Sequence, residues 1–208
     1  MPETPGLHLE QALWAQGCQF IGGMDEAGRG AWAGPVMAAL VILPANLKIG
    51  LSLNGVRDSK KMTALQRARA APIIKSVALA WAVGEASAAE IDEIGILPAT
   101  RLAFSRAIQG ASIFPEYLLM DYIHWPGLQN PHQMMARGES QSLSIAAASV
   151  LAKTTRDQRM IVLEDQVPGY GFARHKGYGT QIHAEALRRL GVSDVHRQSY
   201  SIPRKLEN

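Results

Sequence analysis

The sequence is poor in cysteine, has no basic amino-terminal segment and contains no long apolar run. The lone cysteine, Cys18, cannot form an internal disulfide, which favours a protein of the reducing cytoplasm. The first 20 residues carry Glu3 and Glu10 but no lysine or arginine, so we expect no secretory signal. The longest apolar stretch, residues 31–43, is interrupted by glycine and proline and is far shorter than the ~20 residues of a membrane span.

Basic residues are concentrated near the carboxyl end of the chain. The net charge is +3, yet residues 1–150 hold 11 Lys and Arg against 12 Asp and Glu. Residues 151–208 hold 10 basic residues against 6 acidic ones. A basic segment suits a polyanionic partner, although many soluble proteins of similar charge bind none.

With 208 residues, 47% of them hydrophobic, the chain is long enough for one compact unit or for one domain with an appendage. Apolar patterning predicts strands at 19–24, 36–43, 77–85, 117–122 and 132–137. Capping signals and periodicity predict helices at 8–16, 63–74, after Ser87, and at 98–109, 142–165 and 180–190. This order of elements predicts an α/β or α+β core with a helical carboxyl-terminal appendage.

Two acidic residues, Asp25 and Glu26, directly follow the first predicted strand. Two adjacent carboxylates are unfavourable when buried unless a cation compensates their charge, and a divalent metal would do so. Because strand alternation would send them to opposite faces, a shared ion requires the strand to end here, with the longer Glu26 reaching round. A solvated acidic turn is the alternative that the pair alone leaves open.

A third acidic residue, Asp121, ends another apolar strand. If the two strands are neighbours, Asp25 and Asp121 meet at the same edge of the sheet, although Asp121 by itself also suits a turn. Carboxylate oxygens with no Cys or His at ligand spacing favour Mg²⁺ or Mn²⁺ over Zn²⁺.

Glycine-flanked and basic segments provide candidate binding groups. Gly28 and Gly30 would allow a ligand close to the backbone around Arg29, or would simply form a tight turn. Further candidates are cationic or aromatic: Lys60 and Lys61, Lys153 and Arg156, and Lys176 with Tyr178. Lys176 and Tyr178 precede a helix that Thr180 would cap. Each of these residues could instead be an ordinary surface or core residue.

Taken in order, six features resemble type 2 ribonuclease H over residues 22–200. They are DEAGRG (25–30), DSKKMT (58–63), Asp121 at a strand end, SIAAASVLAKTTRDQRM (144–160), YGFARHKGYGT (170–180) and HRQSY (196–200). The resemblance implies an RNase H-like fold, in which a central mixed sheet is flanked by helices, with a catalytic domain over 1–160 and a substrate-binding helical appendage over 161–208.

The resemblance also implies an activity. Members of this family cleave the RNA strand of RNA–DNA hybrids and cut on the 5′ side of single ribonucleotides in duplex DNA, in replication and ribonucleotide excision repair. It places the catalytic and metal-binding carboxylates at Asp25, Glu26, Asp121 and Glu139, with two Mn²⁺ or Mg²⁺ ions per site. It assigns reading of the ribose 2′-hydroxyl to Gly28, Arg29, Gly30 and Tyr178. The remaining candidates for substrate binding are Lys60, Ser149, Lys153 and Lys176.

This sequence departs from the family pattern at three positions. Glu139 stands where aspartate is usual, Tyr122 replaces the glycine that usually follows the third carboxylate, and Trp32 is bulkier than the residue that commonly follows the glycine loop. Arg29, and the presence of only 24 residues before Asp25, favour type 2 over the type 3 relatives, which carry Gly-Lys-Gly and a separate amino-terminal domain.

Two-metal hydrolysis of a phosphodiester, giving 5′-phosphate and 3′-hydroxyl ends, needs no nucleophilic side chain, so the lack of a Ser-His-Asp or Cys-His set is no objection. Two alternatives stay open at this point: a non-catalytic nucleic-acid-binding module, and a different RNase H-like nuclease or resolvase acting on branched DNA. We expect a monomer with no membrane partner.

Overall fold

The computed structural model describes residues 4–203, and within them five strands form one mixed sheet. The order is β3-β2-β1-β4-β5. Strand β1 pairs antiparallel with β2, which pairs antiparallel with β3, whereas β4 is parallel to both β1 and β5. The strands are β1 (Ile21–Ala27), β2 (Val36–Ile42), β3 (Ala80–Ala86), β4 (Tyr117–Asp121) and β5 (His132–Met135).

The helices are α1 (His8–Ala15), α2 (Ile49–Ser52), α3 (Ala64–Val77), α4 (Ala88–Ile94), α5 (Ile96–Gly110), α6 (Leu143–Gln166), α7 (Phe172–His175) and α8 (Gln181–Leu190). The capping boxes predicted at Thr63 and Ser87 both form. Two expected loops contain extra structure: α2 and the 3₁₀ turn Ser59–Lys61 lie before α3, and α7 lies in the glycine-rich loop. Such one-turn helices are too short to show an amphipathic period in the sequence.

Helices cover both faces of the sheet, which is why every residue of β2 is buried. Helix α6 packs on β1 and β2 on one face, and α5 packs on β2 and β3 on the other. Gly23 allows α6 to approach β1 closely, since a Cβ there would lie 2.2 Å from the backbone carbon of Ser144. The RNase H-like mixed sheet flanked by helices is therefore confirmed.

Residues beyond α6 form a further packed layer at one end of the sheet. Met160 of α6, Phe172 of α7 and Leu187 of α8 are fully buried together with Ala33. The proposed division after residue 160 falls within α6 and stays a prediction. Among residues 4–203, none of the helices combines the length and apolar character needed to span a bilayer.

Candidate active site

The parallel pairing of β1 with β4 brings two carboxylates side by side. Met24 is in register with Met120, so Asp25 and Asp121 occupy the next positions on neighbouring strands, which are spaced about 4.8 Å apart. Met24 and Met120 both pack in the core on the α5 side. By strand alternation, Asp25 and Asp121 therefore both face α6.

The expectation that β1 would end before its acidic pair was wrong. The strand runs on to Ala27, because Glu26 and Ala27 pair with Ala38 and Met37 of β2. Glu26 therefore leaves the strand on the opposite side from Asp25 and forms a 3.2 Å ion pair with Arg29. Burial raises the pKa of Glu26, and the charge of Asp121 acts in the same direction, so Glu26 still belongs electrostatically to the carboxylate group.

Glu139 reaches this group from a 3₁₀ turn, Gly138–Ser140, that precedes α6. The N–H of Gly138 donates to Asp121 Oδ1 at 3.1 Å, which sets the turn against the end of β4. Burial raises the pKa of Glu139, and the negative charge of Asp121 adds to the shift. Its Oε2 atom is buried and has no hydrogen-bond partner in the described part of the chain.

The pKa of Asp25 is shifted in the same direction as those of Glu26 and Glu139. Burial, followed by the negative charge of Glu26, raises its pKa well above the ordinary value. The Ser149 hydroxyl of α6, which lies 2.9 Å from Ser59 Oγ, acts in the opposite direction, as does the N–H of Glu26 at 2.7 Å from Asp25 Oδ1. The predicted substrate-binding residue Ser149 is thus buried against Asp25.

One lysine, Lys60, interacts electrostatically with three of these carboxylates, Asp25, Glu26 and Glu139. The predicted phosphate-binding residue Lys60 follows Asp58, whose side chain accepts from the Lys60 N–H at 2.9 Å. Burial opposes the charge of Lys60, but Asp25, Asp58, Glu139 and Glu26 together raise its pKa. Lys60 therefore supplies part of the positive charge that the carboxylates need.

These residues fit a hard divalent cation. They present oxygen ligands only, one of them buried without a partner, and burial raises the pKa values of Asp25, Glu26 and Glu139, with neighbouring carboxylates adding to the shift. As the side chains stand, no three Asp, Glu, His or Cys within residues 4–203 lie close enough to share one ion. A shared ion would therefore require these side chains to move closer together.

A backbone loop with open amides follows β1. Gly28 has a φ of 97°, and a Cβ there would lie 2.0 Å from Arg156 Nε, so this position requires glycine. A Cβ on Gly30 would meet nothing within 4 Å. The N–H groups of Arg29 and Gly30 donate to no acceptor in the described residues. We call residues 28–30 the GRG loop; its amides are available to a ligand.

Tyr178 lies beside this loop. The carbonyl of Gly177 accepts from the N–H groups of Trp32 (2.8 Å) and Ala33 (3.3 Å), which joins residues 176–179 to the chain just after the GRG loop. Arg156 Cζ lies 5.2 Å and Lys153 Nζ 5.1 Å from the centroid of the Tyr178 ring. Such cation–π contacts orient the ring.

Three predicted cations have partners within the protein. Arg156 is neither a surface residue nor exposed to phosphate: it is fully buried and donates to the carbonyls of Pro35, Ala33 and Lys176. Lys153 Nζ donates to Asp157 at 2.6 Å, and Lys176 Nζ donates to the Ala173 carbonyl. Thr180 caps α8 as predicted, accepting from the His183 N–H.

Sequence reasoning missed the residues that hold the GRG loop from behind. Arg197 Nη1 and the Tyr200 hydroxyl donate to the carbonyl of Arg29 at 2.8 and 2.6 Å. Both residues occur in the HRQSY motif, but the sequence alone does not show that Arg197 is fully buried. A buried arginine is exceptional for its residue type, so its role is visible only in the fold.

The fold and the carboxylate group define the class, nucleases with an RNase H fold. The ribonuclease H2 from Pyrococcus horikoshii OT3 superposes with a TM-score of 0.72 and 23% identity, covering 87% of this chain and 93% of that one. A Bst-RNase HIII in complex with Mn²⁺ gives a TM-score of 0.64 and 21% identity, with coverages of 86% and 64%.

Sequence comparison is more specific. Residues 22–202 match the family model for ribonuclease HII. A ribonuclease HII from Desulfitobacterium hafniense (strain Y51) is 48% identical over 195 residues, covering 94% of this chain and 74% of that protein. One from Chloroflexus aggregans is 46% identical over 199 residues, covering 95% and 93%. The chain belongs to the ribonuclease HII family, which makes it a ribonuclease H acting on RNA–DNA hybrids with divalent metal.

Proposed function

We propose that the protein, besides cleaving the RNA strand of hybrids, cuts on the 5′ side of a single ribonucleotide embedded in duplex DNA. The observation that carries this proposal is the position of Tyr178 beside the GRG loop: the carbonyl of the preceding residue, Gly177, accepts from the N–H groups of Trp32 and Ala33, just after that loop. Open backbone amides and a tyrosine hydroxyl on one surface can bind one ribose 2′-hydroxyl without reading any base. One ribose would then suffice for recognition.

In this proposal Asp25, Glu26, Asp121 and Glu139 hold two divalent ions. The ions would activate the attacking water and stabilise the leaving 3′ oxygen. The adjacent positions of Asp25 and Asp121 on the paired strands β1 and β4 support this assignment. The Mn²⁺ held by the Bst-RNase HIII structure supports Mn²⁺ as one candidate, and Mg²⁺ is the other.

The chain's own groups position the substrate. The amides of the GRG loop donate to the 2′-hydroxyl, and the Tyr178 hydroxyl meets the same group while its ring packs on the sugar. In this proposal Lys60 attracts the scissile phosphate, and Lys153 and Lys176 contribute positive charge for the flanking sugar-phosphate backbone. Products would carry 5′-phosphate and 3′-hydroxyl ends. A monomeric state and a cytoplasmic location stay predictions.

Three labelled duplexes test the proposal: one with a single ribonucleotide, a continuous RNA–DNA hybrid, and an all-DNA control of the same sequence. We expect cleavage of the first two and none of the third, with the cut placed 5′ of the ribonucleotide. Cleavage of the hybrid alone would contradict the single-ribonucleotide proposal. Cleavage of branched all-DNA substrates would instead favour a resolvase.

A further inference from the structure

The carbonyl of Arg29, at the centre of the GRG loop, is held by a segment 168 residues further along the chain. Arg197 Nη1 donates to it at 2.8 Å and the Tyr200 hydroxyl at 2.6 Å. Arg197 also donates through its backbone N–H to the Trp32 carbonyl and through Nε to the Gly34 carbonyl. One buried residue, through its side chain and its backbone N–H, therefore bonds the GRG loop and the residues that follow it.

The same segment reaches Tyr178 through two histidines. His196 Nδ1 accepts from the Ser193 N–H at 3.0 Å, so its Nε2 carries the proton and donates to His183 Nε2 at 3.1 Å. His183 Nδ1 then carries its own proton and donates to the Tyr178 carbonyl at 3.0 Å. This order of donors requires both imidazoles to be neutral.

The outer side of the segment is held by Asp92 of α4, which lies away from the carboxylate group. Its carboxylate accepts from the N–H groups of Gln198 and Ser199, at 2.8 and 2.9 Å, and from the Ser199 hydroxyl at 2.6 Å. The segment is thus fixed to α4 on one side and to both substrate-facing loops on the other.

We propose that residues 196–200 position the GRG loop relative to Tyr178 and thereby set the preference for a single 2′-hydroxyl. This inference rests on the function proposed above. A loop with glycines at 28 and 30 has little rigidity of its own, and a site that binds one hydroxyl must hold its groups to within about 0.5 Å. A continuous hybrid offers neighbouring 2′-hydroxyls, so it tolerates misplacement better.

Tyr200→Phe tests the proposal, since it removes one donor to Arg29 and keeps the ring. The matched control is Tyr170→Phe, because Tyr170 also donates its hydroxyl to a backbone carbonyl, that of Gly191, at 2.9 Å. The measurement is kcat/KM on the single-ribonucleotide duplex and on the continuous hybrid, at fixed salt and metal, with thermal midpoints recorded for each protein.

We expect Tyr200→Phe to lower kcat/KM about threefold to tenfold on the single-ribonucleotide duplex and less than about twofold on the hybrid. Tyr170→Phe should keep the wild-type ratio of the two substrates. Asp92→Ala removes the hydrogen bonds that hold the segment to α4. It should shift the ratio of kcat/KM on the two substrates in the same direction as Tyr200→Phe. It carries the test if Tyr200→Phe fails to fold.

Equal losses on both substrates, or an unchanged ratio in both Tyr200→Phe and Asp92→Ala, would overturn the inference. A ratio shift as large in Tyr170→Phe would do so as well. A wild-type protein that cleaves the hybrid but not the single-ribonucleotide duplex would overturn the proposed function and the inference together. A wild-type protein active on both duplexes separates failure of the inference from failure of the function.

Discussion

Asp25 illustrates at the scale of one residue how a functional group opposes stability. Burial and the charge of Glu26 raise its pKa, which means that the protein without metal disfavours the ionised form that a metal ligand requires. Its neighbour across the sheet, Asp121, bonds the Gly138 N–H and so also fixes the turn that carries Glu139. The buried charge of Asp25 therefore opposes folding, whereas Asp121 holds a turn in place.

Asp121→Asn should lower turnover by orders of magnitude while substrate still binds. The amide oxygen can still accept from the Gly138 N–H, so the shape of the turn is retained and only the charge is lost. Single-turnover cleavage and substrate binding, each with Mg²⁺, measure the two effects. Asp165→Asn, on the exposed end of α6, is the matched control. Near-normal turnover in Asp121→Asn would contradict the metal-ligand role.

At Glu139 we expect charge to matter more than length. Glu139→Gln should lower kcat/KM by about tenfold or more, the equivalent of ~1.4 kcal/mol, because it removes an anionic oxygen that is buried without a partner. Glu139→Asp should retain much of the activity, since it keeps the charge. The comparison is made across a titration of Mg²⁺ and of Mn²⁺, and identical curves for wild type and Glu139→Gln would show that this residue binds no metal.

Substitutions of Tyr178 should distinguish recognition of the ribose 2′-hydroxyl from the cleavage step. Tyr178→Phe removes only the hydroxyl, whereas Tyr178→Ala also removes a stacking surface that is worth ~1 to 3 kcal/mol in comparable aromatic contacts. We expect graded losses of kcat/KM, with Ala worse than Phe, and larger losses on a single ribonucleotide than on a continuous hybrid. Salt must be held constant, because phosphate contacts make affinity salt-dependent. Equal losses on both substrates would make Tyr178 a general packing residue.

At the scale of elements, His183 of α8 connects the carboxyl-terminal layer to residues 176–179, which lie beside the GRG loop. Its ring stacks on His175, with centroids 4.4 Å apart, and lies at 5.5 Å from Trp32. Burial lowers the pKa of His183 to about 4, with the nearby His175 and His196 adding to the shift, and burial also lowers the pKa of His196. If His183 Nε2 took up a proton, it could no longer accept the hydrogen bond from the N–H of His196.

Stability should therefore fall as the solution is acidified. A histidine whose pKa is lower in the folded protein than in the unfolded chain contributes its full stability above about pH 6.5, and this is lost as pH falls towards about 4. The contribution of His183 is on the order of 2 to 3 kcal/mol. Urea midpoints between pH 7 and 4 measure it.

The pH slope of His183→Asn should be shallower than that of wild type. The amide nitrogen of that variant can still donate near the position of Nδ1 but cannot take up a proton. A slope identical to that of wild type would mean that other groups, with His175 and His196 the nearest titratable ones, account for the acid sensitivity.

At the scale of the whole molecule, divalent metal should stabilise the fold, because the ligands come together only when β1, β4 and the turn before α6 are in place. Metal at a hundred times its dissociation constant stabilises by about 2.7 kcal/mol. We expect the thermal midpoint to rise with Mg²⁺ or Mn²⁺. In chelator, Asp25→Asn should melt above wild type, because it removes a disfavoured charge.

The rise of the thermal midpoint on addition of Mg²⁺ or Mn²⁺ should be much smaller in Asp25→Asn than in wild type. The exposed substitution Asp165→Asn should leave both the midpoint in chelator and the metal-dependent rise unchanged. Equal rises in wild type and Asp25→Asn would mean that the ions act elsewhere on the surface.

Local signals in the sequence determined most of the elements. Caps at Thr63, Ser87 and Thr180 act over three residues, so the starts of α3, α4 and α8 were predictable. The candidate metal ligands were also visible in the sequence, because Asp25 and Asp121 each come directly after an apolar stretch. The end of the first strand was predicted too early, at residue 24, since pairing with β2 extends β1 to Ala27 and no local pattern encodes a partner strand.

Only the tertiary structure determined which residues pack against the GRG loop and align the carboxylates. The parallel register that aligns Met24 with Met120 depends on residues about 100 positions apart, and the contacts of Arg197 and Tyr200 with Arg29 join residues 168 and 171 positions apart. Arginine and histidine are common surface residues, and only burial turns Arg156, Arg197 and His183 into donors for backbone carbonyls. The sequence determined which chemical groups are present, and the packing of distant segments determined which of them lie together at the carboxylate group and the GRG loop.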